Sequence, residues 1–289
     1  MKEPRVIAEI GCNHKGDMGL AKELILTAKT FCKVDAVKFQ KRDIDTWVKK
    51  DPDLYNGPHP NPYNAYGKTY KEHREALEFT PRQHKELMKY CKEVGIEYST
   101  SVWDLPSAKQ IAELKPKMIK IPSACNNYWE MLEWLCKNYK GEIHVSTGMT
   151  KSKEIKQLIE LFKKYKRNKD IVLYYCVSGY PVPFEDLHLL EITNFIKEYG
   201  DIVKEIGYSG HHLGISMDVV AYTLGATTIE RHYTLDRTWK GTDHAASLEP
   251  DGLRRVKRDL TAAQKALTYK NKEILDIEKV QRKKLKWNK

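Results

Sequence analysis

The sequence predicts one α/β domain, a closed (β/α)8 TIM barrel in which each of eight parallel strands is followed by a helix. Short β-rich runs alternate with longer amphipathic runs along the chain, and there are eight of the former. A length of 289 residues suits a single α/β barrel. Gly11, Gly16 and Gly19 lack the G-x-G-x-x-G spacing of a doubly wound dinucleotide-binding sheet, which favours the barrel.

Each candidate strand is a short run rich in β-branched, aliphatic or aromatic residues between polar segments. The eight runs are Val6–Asn13, Ala36–Gln40, Glu97–Val102, Met118–Ala124, Glu142–Thr147, Ile171–Ser178, Glu205–His211 and Thr228–Thr234. Parallel strands of a closed barrel end at one mouth, so we expect the residues at their carboxyl ends to meet there.

The segments between the strands carry apolar residues at helical spacing and recognisable helix ends. Asp17 is placed to cap the first helix, and Thr80 followed by Pro81 marks the start of the helix before the third strand. Gly95 marks the end of that helix. The best-defined apolar stripes comprise Leu20, Leu24, Ile25 and Ala28, then Leu87, Met88, Cys91 and Val94.

One connection is much longer than the others. Residues 41–79, after the second strand, are rich in Tyr, Pro, Asn and Gly, and connections of this length are usually lids or binding loops. We expect the barrel to span residues 1–268 and a basic C-terminal tail to span 269–289. The last eleven residues hold six of the basic side chains and no acidic one, which accounts for much of the net charge of +11. We interpret this segment as a solvated tail and predict no nucleic-acid binding.

Composition also bears on cellular location. No run of about 18 apolar residues is present, and the first residues show no secretory cleavage pattern, so we expect a cytoplasmic protein without a membrane partner. Six cysteines occur without a C-x-x-C pair, and we expect them to be free thiols.

Polar and reactive side chains lie at the predicted carboxyl ends of the strands. Two lysines with several hydroxyls form a pocket for an anion. His211 and His232 come from adjacent strands and can share one divalent cation, with Glu9 facing that cation or its water. These residues indicate metal-assisted chemistry on a phosphorylated or carboxylated small molecule. The full set is Glu9, Lys38, Gln40, Ser99, Thr100, Ser101, Lys120, Ser123, Ser146, Ser178, Tyr180, Ser209, His211, Glu230 and His232.

Eight motifs occur in order along residues 5–265. They are I-A-E-I-G-C-N-H (7–14), K-F-Q (38–40), G-K-T-Y-K-E-H-R-E-A-L-E-F (67–79), S-T-G-M (146–149), Y-P-V-P-F-E-D-L (180–187), G-Y-S-G-H (207–211), E-R-H-Y-T-L-D (230–236) and G-T-D-H-A-A-S-L-E-P (241–250). In combination they are highly specific and resemble the sialic acid synthase family, most closely its animal-type branch. The resemblance implies an enzyme that condenses phosphoenolpyruvate with an N-acyl hexosamine, N-acetylmannosamine or its 6-phosphate, giving a nonulosonic acid or its 9-phosphate and phosphate by C–O cleavage.

The resemblance also implies residue roles. His211 and His232 would bind Mn²⁺ or Mg²⁺, and Glu9 would position or deprotonate the attacking water. The phosphoenolpyruvate ligands would be Lys38, Ser99 or Thr100, Lys120, Ser123, Ser146 and Ser209. The acceptor sugar would contact Gln40, Ser178, Tyr180 and Asp243.

The chain departs from the family pattern on the acceptor side. Family members continue into an antifreeze-like domain beyond a segment resembling 280–284, so we leave open a homodimer and a separate protein that supplies that domain. Pro122 replaces a glycine, the following acidic residue is missing, and Ser178 replaces an asparagine. We therefore expect the donor chemistry to be retained. Two alternatives stay open: condensation with a different aldose or aldose phosphate, and a non-catalytic barrel that binds a sugar or anion.

Overall fold

The computed structural model describes residues 2–288 and contains the predicted barrel. Eight parallel strands pair in chain order, and β8 pairs with β1 to close the sheet. The strands are β1 (Arg5–Gly11), β2 (Ala36–Lys41), β3 (Glu97–Val102), β4 (Met118–Ile121), β5 (Glu142–Ser146), β6 (Ile171–Cys176), β7 (Glu205–Gly210) and β8 (Thr228–His232).

The helices surround the barrel and begin and end as the sequence predicts. The Asp17 side chain accepts a hydrogen bond from the Leu20 backbone N–H, and Thr80 forms a capping box. Gly95 ends its helix in the left-handed conformation, at φ +76°. The helices are α1 (Met18–Thr27), α2 (Ile44–Lys50), α3 (Pro52–Asn56), α4 (Tyr70–Leu77), α5 (Pro81–Val94), α6 (Leu105–Glu113), α7 (Trp129–Asn138), α8 (Ser152–Lys164), α9 (Glu191–Tyr199), α10 (Ser216–Thr223), α11 (Pro250–Ala266) and α12 (Asp276–Leu285).

Several strands end earlier than predicted. Strand β4 stops at Ile121 because Pro122 has no N–H to continue the ladder, and a short 3₁₀ turn follows. Strand β1 ends at Gly11, which takes a left-handed φ of +56°. The polar residues expected at these two strand ends therefore lie on the turns that follow.

The long connection 41–79 contains three short helices, α2 to α4, where the sequence analysis expected a loop. Tyrosines and prolines interrupt the helical spacing of its apolar residues, so the sequence did not indicate these helices. Packing between aromatic rings holds the helices together. The Tyr55 ring lies between Trp47 and Tyr70, with centroid distances of 6.4 Å and 5.0 Å. The segment is an ordered cover over one side of the barrel mouth.

Side chains alternate along the strands between an outer apolar layer and a polar barrel interior. On β2, Val37 and Phe39 are fully buried against the surrounding helices. Lys38 lies between them and belongs to the interior. This alternation explains how a buried strand can carry a lysine, because that residue faces the interior and not the helix layer.

The lower half of the interior is filled. Ile7, Ala36 and Met118 form a small apolar cluster inside the strands. Below it, the Arg5 guanidinium donates to Glu97 and Glu142, each over 2.9 Å. These layers close the amino-terminal end of the barrel and leave its other end as the open one.

The C-terminal segment contains a helix. Every residue of α12 is exposed, and none of its side chains joins the apolar core. Among residues 2–288, no helix has the length and apolar character needed to cross a bilayer.

We predict that Gly207→Ala destabilises the barrel. A Cβ at this position would lie 2.8 Å from the Tyr174 ring and 2.9 Å from the Thr228 carbonyl oxygen, inside a closed sheet that cannot widen locally. We expect a loss of about 1–3 kcal/mol, measured as a lower midpoint in thermal or urea unfolding.

Gly252→Ala in α11 is the matched control for that substitution. Its Cβ would meet only the Leu248 side chain at 3.5 Å or more, and alanine favours a helix over glycine. We expect an unchanged or higher midpoint. Equal destabilisation by both substitutions would contradict the steric account of Gly207.

Candidate active site

A cavity of about 310 Å³ opens at the carboxyl ends of the strands, within the range typical of small-molecule sites. All of the predicted site residues line it except Ser99 and Thr100. The residues that do so are Glu9, Lys38, Gln40, Lys120, Ser123, Ser146, Ser178, Tyr180, Ser209, His211, His232 and Asp243. The barrel therefore brings together residues that are far apart in the chain.

Strand β3 requires a correction. Ser99 lies below the cavity, where its hydroxyl donates to the Met118 carbonyl oxygen over 3.3 Å. Thr100 is fully buried on the opposite side of the strand, since side chains alternate. The next residue, Ser101, faces inward at the right height and lines the cavity. The prediction had the correct strand, but the chosen residues do not reach the site.

A buried carboxylate, Glu230, lies at the bottom of the cavity between two lysines. Lys38 Nζ donates to its Oε1 over 2.8 Å, and Lys120 Nζ lies 3.0 Å from both carboxylate oxygens. The Ser209 hydroxyl donates to Oε1 over 3.2 Å. Burial would raise the pKa of Glu230, but Lys120 and Lys38 outweigh that effect and hold the pKa below its usual range. Burial lowers the pKa of Lys38 to about 7, although Glu230 opposes the shift.

Glu9 extends this network towards the mouth. Its Oε2 lies 2.7 Å from Lys38 Nζ, and its Oε1 accepts a hydrogen bond from Gln40 Nε2 over 3.0 Å. A Cβ on Gly11 would approach Gln40 at 3.0 Å and Glu9 at 3.1 Å, so a glycine gives these side chains room. Two ammonium groups are thus matched by two carboxylates, Glu9 and Glu230.

His211 and His232 face each other across the cavity, with ring centroids 5.5 Å apart. His211 Nδ1–H donates to the Val177 carbonyl oxygen over 3.0 Å, which leaves the Nε2 lone pair free. Burial lowers the pKa of His211 to about 3 and also lowers that of His232, so both rings are neutral at neutral pH. In the part of the chain that the structure describes, His232 Nδ1 is buried without a hydrogen-bond partner.

Two neutral imidazole nitrogens are suitable ligands for a divalent metal, and the metal role of these histidines stays a prediction. Over residues 2–288, no group of three or more His, Cys, Asp or Glu side chains is arranged to hold a metal ion. Asp243 Oδ2 lies 4.0 Å from His232 Nδ1, beyond hydrogen-bonding range. The protein offers two ligands, and water or substrate oxygens would complete the coordination.

Hydroxyl groups and a backbone N–H form a cradle beside Cys176, whose Sγ lies 3.9 Å from both the Ser123 hydroxyl oxygen and His211 Nδ1. The Gly148 N–H donates to the Ser123 hydroxyl over 3.0 Å. A Cβ on Gly148 would lie 2.2 Å from the Ser178 hydroxyl oxygen and 2.8 Å from that of Ser123, so only glycine leaves the cradle open. With Ser146 and Ser209 also lining the cavity, the cradle has the donor groups that a phosphate binds.

Two arginines that the sequence analysis did not single out line the outer part of the cavity. Arg42 is 4% exposed, stacks on Trp103 at 3.6 Å and lies near Glu78. Arg74 donates to the Tyr70 hydroxyl over 2.7 Å, but among residues 2–288 no carboxylate lies within 4.0 Å of it. The Asp243 carboxylate acts on Arg74 from beyond that distance, so the guanidinium keeps donors that an anion could bind directly.

Glu230 was among the polar residues that the sequence placed at strand ends, but it had no assigned role. It lies two residues before His232 on one strand, so period-two alternation alone places both in the interior. Arg42 and Arg74 were missed because they belong to the segment 41–79. The fold of this segment depends on aromatic contacts and not on a regular spacing of apolar residues. Their convergence could be found only from the structure.

A model of the NeuB family matches residues 24–272 of the chain. The mouse N-acetylneuraminate-9-phosphate synthase is 38% identical over 273 residues, which cover 94% of this chain and 74% of that protein. The N,N'-diacetyllegionaminic acid synthase of Campylobacter jejuni is 35% identical over 272 residues, covering 92% and 78% of the two chains.

Among solved structures, the sialic acid synthetase of Leptospira borgpetersenii in complex with citrate superposes with a TM-score of 0.81. It is 27% identical, and the match covers 98% of this chain and 93% of that one. The family model covers the strands from β2 to β8, and the superposition covers 98% of the chain. The chain belongs to the NeuB family.

Proposed function

We propose that the protein condenses phosphoenolpyruvate with an N-acyl hexosamine or its 6-phosphate. C3 of phosphoenolpyruvate forms a bond to the aldehyde carbon of the open-chain sugar, and water adds at C2. The C2–O bond to phosphate then breaks, which gives a nonulosonic acid or its 9-phosphate and inorganic phosphate. The observation that carries the proposal is that Lys38, Lys120, His211 and His232 face one cavity.

The donor would bind deep in the cavity. Phosphoenolpyruvate carries a carboxylate and a phosphate, which need two separate sets of donors. Lys38 and Lys120 supply point charges at the bottom, and the Gly148 cradle supplies hydroxyls beside them. An entering anion would take over ammonium contacts that Glu9 and Glu230 hold in the free protein.

Glu9 is the residue best placed to take a proton from the attacking water. Gln40 holds one of its carboxylate oxygens, so the side chain has a fixed orientation. The other oxygen contacts Lys38, and that contact would loosen once Lys38 turns to the donor. Glu9 Oε2 would then be free to accept the water proton.

His211 and His232 would hold a divalent metal at the cavity. When bound, the metal supplies a Lewis acid that polarises the sugar aldehyde. The charge balance supports this assignment: two carboxylates already match the two lysines, and a phosphorylated, carboxylated donor adds further negative charge. Tyr180 lies over His211 at a centroid distance of 4.4 Å and would cover the reacting groups.

The acceptor would occupy the outer part of the cavity, along Gln40, Tyr180 and Asp243. Arg74 favours an acceptor with an anionic group at the end away from its aldehyde, because its guanidinium is bound to the Tyr70 hydroxyl and feels the Asp243 carboxylate only from a longer distance. Among the proposed acceptors, this observation supports the 6-phosphate over the unphosphorylated sugar.

Phosphate release from phosphoenolpyruvate with Mn²⁺ and different acceptors tests the reaction. We expect release with N-acetylmannosamine 6-phosphate to exceed release with N-acetylmannosamine, and mass spectrometry to show the condensed product.

Arg74→Met should raise KM for the phosphorylated sugar by about tenfold or more, while Arg82→Met, at an exposed arginine, should leave this KM unchanged. A mannose 6-phosphate or 2,4-diacetamido hexose product would identify another acceptor, and no release with any sugar would contradict the proposed reaction.

Lys120→Met should weaken phosphoenolpyruvate binding. The substitution keeps most of the side-chain volume but removes a buried charge that would pair with the donor, a loss on the order of 2–3 kcal/mol or about 30–100-fold in Kd. Titration monitored by Trp103 fluorescence measures the effect. Lys117→Met on the exposed surface is the control, and equal affinities for Lys120→Met and wild type would place Lys120 outside the donor site.

His232→Ala should abolish metal-dependent turnover and leave the fold intact, because the side chain lines the cavity and contributes nothing to the outer apolar layer. We expect an unchanged circular dichroism spectrum and no phosphate release with added Mn²⁺. Wild type treated with a chelator provides the reference. Full activity of the variant in the presence of chelator would refute the metal assignment.

A further inference from the structure

Arg231 lies between Glu230 and His232 on β8, yet it takes no part in the cavity. It is 1% exposed, and it points to the outer side of the barrel because neighbouring strand residues alternate. A fully buried guanidinium is costly unless all its donors are paired. Its contacts therefore show what it holds in place.

The Arg231 guanidinium binds the turn that follows β7. Its Nη2 donates to the His212 carbonyl oxygen over 2.7 Å, and its Nη1 donates to the Gly214 carbonyl oxygen over 3.0 Å. Asp218, at the start of α10, accepts from Nη1 over 2.5 Å and supplies the counter-charge. The His212 carbonyl belongs to the residue directly after His211.

The same contacts fix the His212 ring. Arginine only donates, so His212 Nε2, at 3.0 Å from Arg231 Nη1, must be the acceptor. The proton is then on Nδ1, which lies 3.1 Å from the Tyr208 hydroxyl. The turn is thus held through both its backbone and a neutral side chain.

We propose that Arg231 is a positioning residue for the two histidines that face the cavity. Through its own backbone it links Glu230 to His232, and through its guanidinium it holds the carbonyl group of His212, the residue that follows His211. This inference rests on the proposed function, in which His211 and His232 bind a divalent metal. Two ligands must keep a fixed separation to share one ion, and groups that orient metal ligands commonly change metal affinity by 10–100-fold.

Asp218 and the turn carbonyls explain why arginine is needed. The planar fork reaches two carbonyl oxygens, one carboxylate and one imidazole nitrogen together. A lysine keeps the charge next to Asp218 but cannot span these partners. Arg231→Lys should therefore retain the ion pair while releasing part of the turn.

The test is Mn²⁺ binding by isothermal titration calorimetry in the absence of substrates. We expect Arg231→Lys to bind Mn²⁺ about 10–100-fold more weakly than wild type, with phosphoenolpyruvate affinity measured without metal unchanged. Asp218→Asn removes the counter-charge of the same guanidinium without altering β8, and it should also weaken Mn²⁺ binding. It also keeps the test decisive if Arg231→Lys does not fold.

Arg167→Lys is the matched control. Arg167 is also buried, donates to the Tyr139 and Gly141 carbonyl oxygens and pairs with Asp170, but it lies before β6 at the closed end of the barrel. We expect a comparable loss of thermal stability and an unchanged Mn²⁺ affinity.

Two outcomes separate this inference from the proposed function. If His211→Ala abolishes Mn²⁺ binding but neither Arg231→Lys nor Asp218→Asn changes it, Arg231 is not a positioning residue. If wild type binds no Mn²⁺, or His211→Ala leaves binding unchanged, the metal assignment is wrong and the inference falls with it. A loss of Mn²⁺ affinity in Arg167→Lys equal to that in Arg231→Lys would also overturn it, because the effect would then be general destabilisation.

Discussion

The ion-pair network around Glu230 is the interaction on which the interior of this barrel depends. Two lysines cannot be buried within reach of each other unless a carboxylate lies between them, since each isolated charge would cost several kcal/mol to desolvate. Glu230 contacts both ammonium groups, and Glu9 makes a second ion pair with Lys38. The consequence is a site that is nearly neutral when empty, with its cations already oriented. An anion that enters exchanges partners with these carboxylates instead of meeting free charge.

Much of the fold and part of the site follow from the sequence for identifiable reasons. Alternating runs and caps such as Thr80 and Gly95 are local signals, so the strands and the helix ends that they mark were predictable. Residues at strand ends converge by topology, which is why Lys38 and His232 could be placed at one mouth without coordinates. Ser99 was misplaced because it faces the interior two residues below Ser101, and Thr100 because it faces the opposite side of the strand.

The segment 41–79 shows the limit of such reasoning. Its helices are short, and their positions depend on packing between aromatic rings, as for Trp47, Tyr55 and Tyr70. No periodic pattern encodes where Arg42 and Arg74 point. The site therefore has two parts, one on the strands and one on the segment 41–79. The barrel strands hold the groups proposed for the donor and metal, whereas a covering segment adds charges at the outer rim. Changes in that segment can alter the sugar that is accepted without disturbing the strands.

The filled amino-terminal end of the barrel has a kinetic consequence. Arg5 with its two glutamates, and the apolar cluster above it, leave a single opening. Glu230 lies two residues below His232 on one strand, roughly 6–7 Å deeper along it. In such a blind-ended well, a ligand at the level of Glu230 cannot pass another at the level of His232. Of two ligands bound at these two depths, the deeper one would have to enter first and leave last.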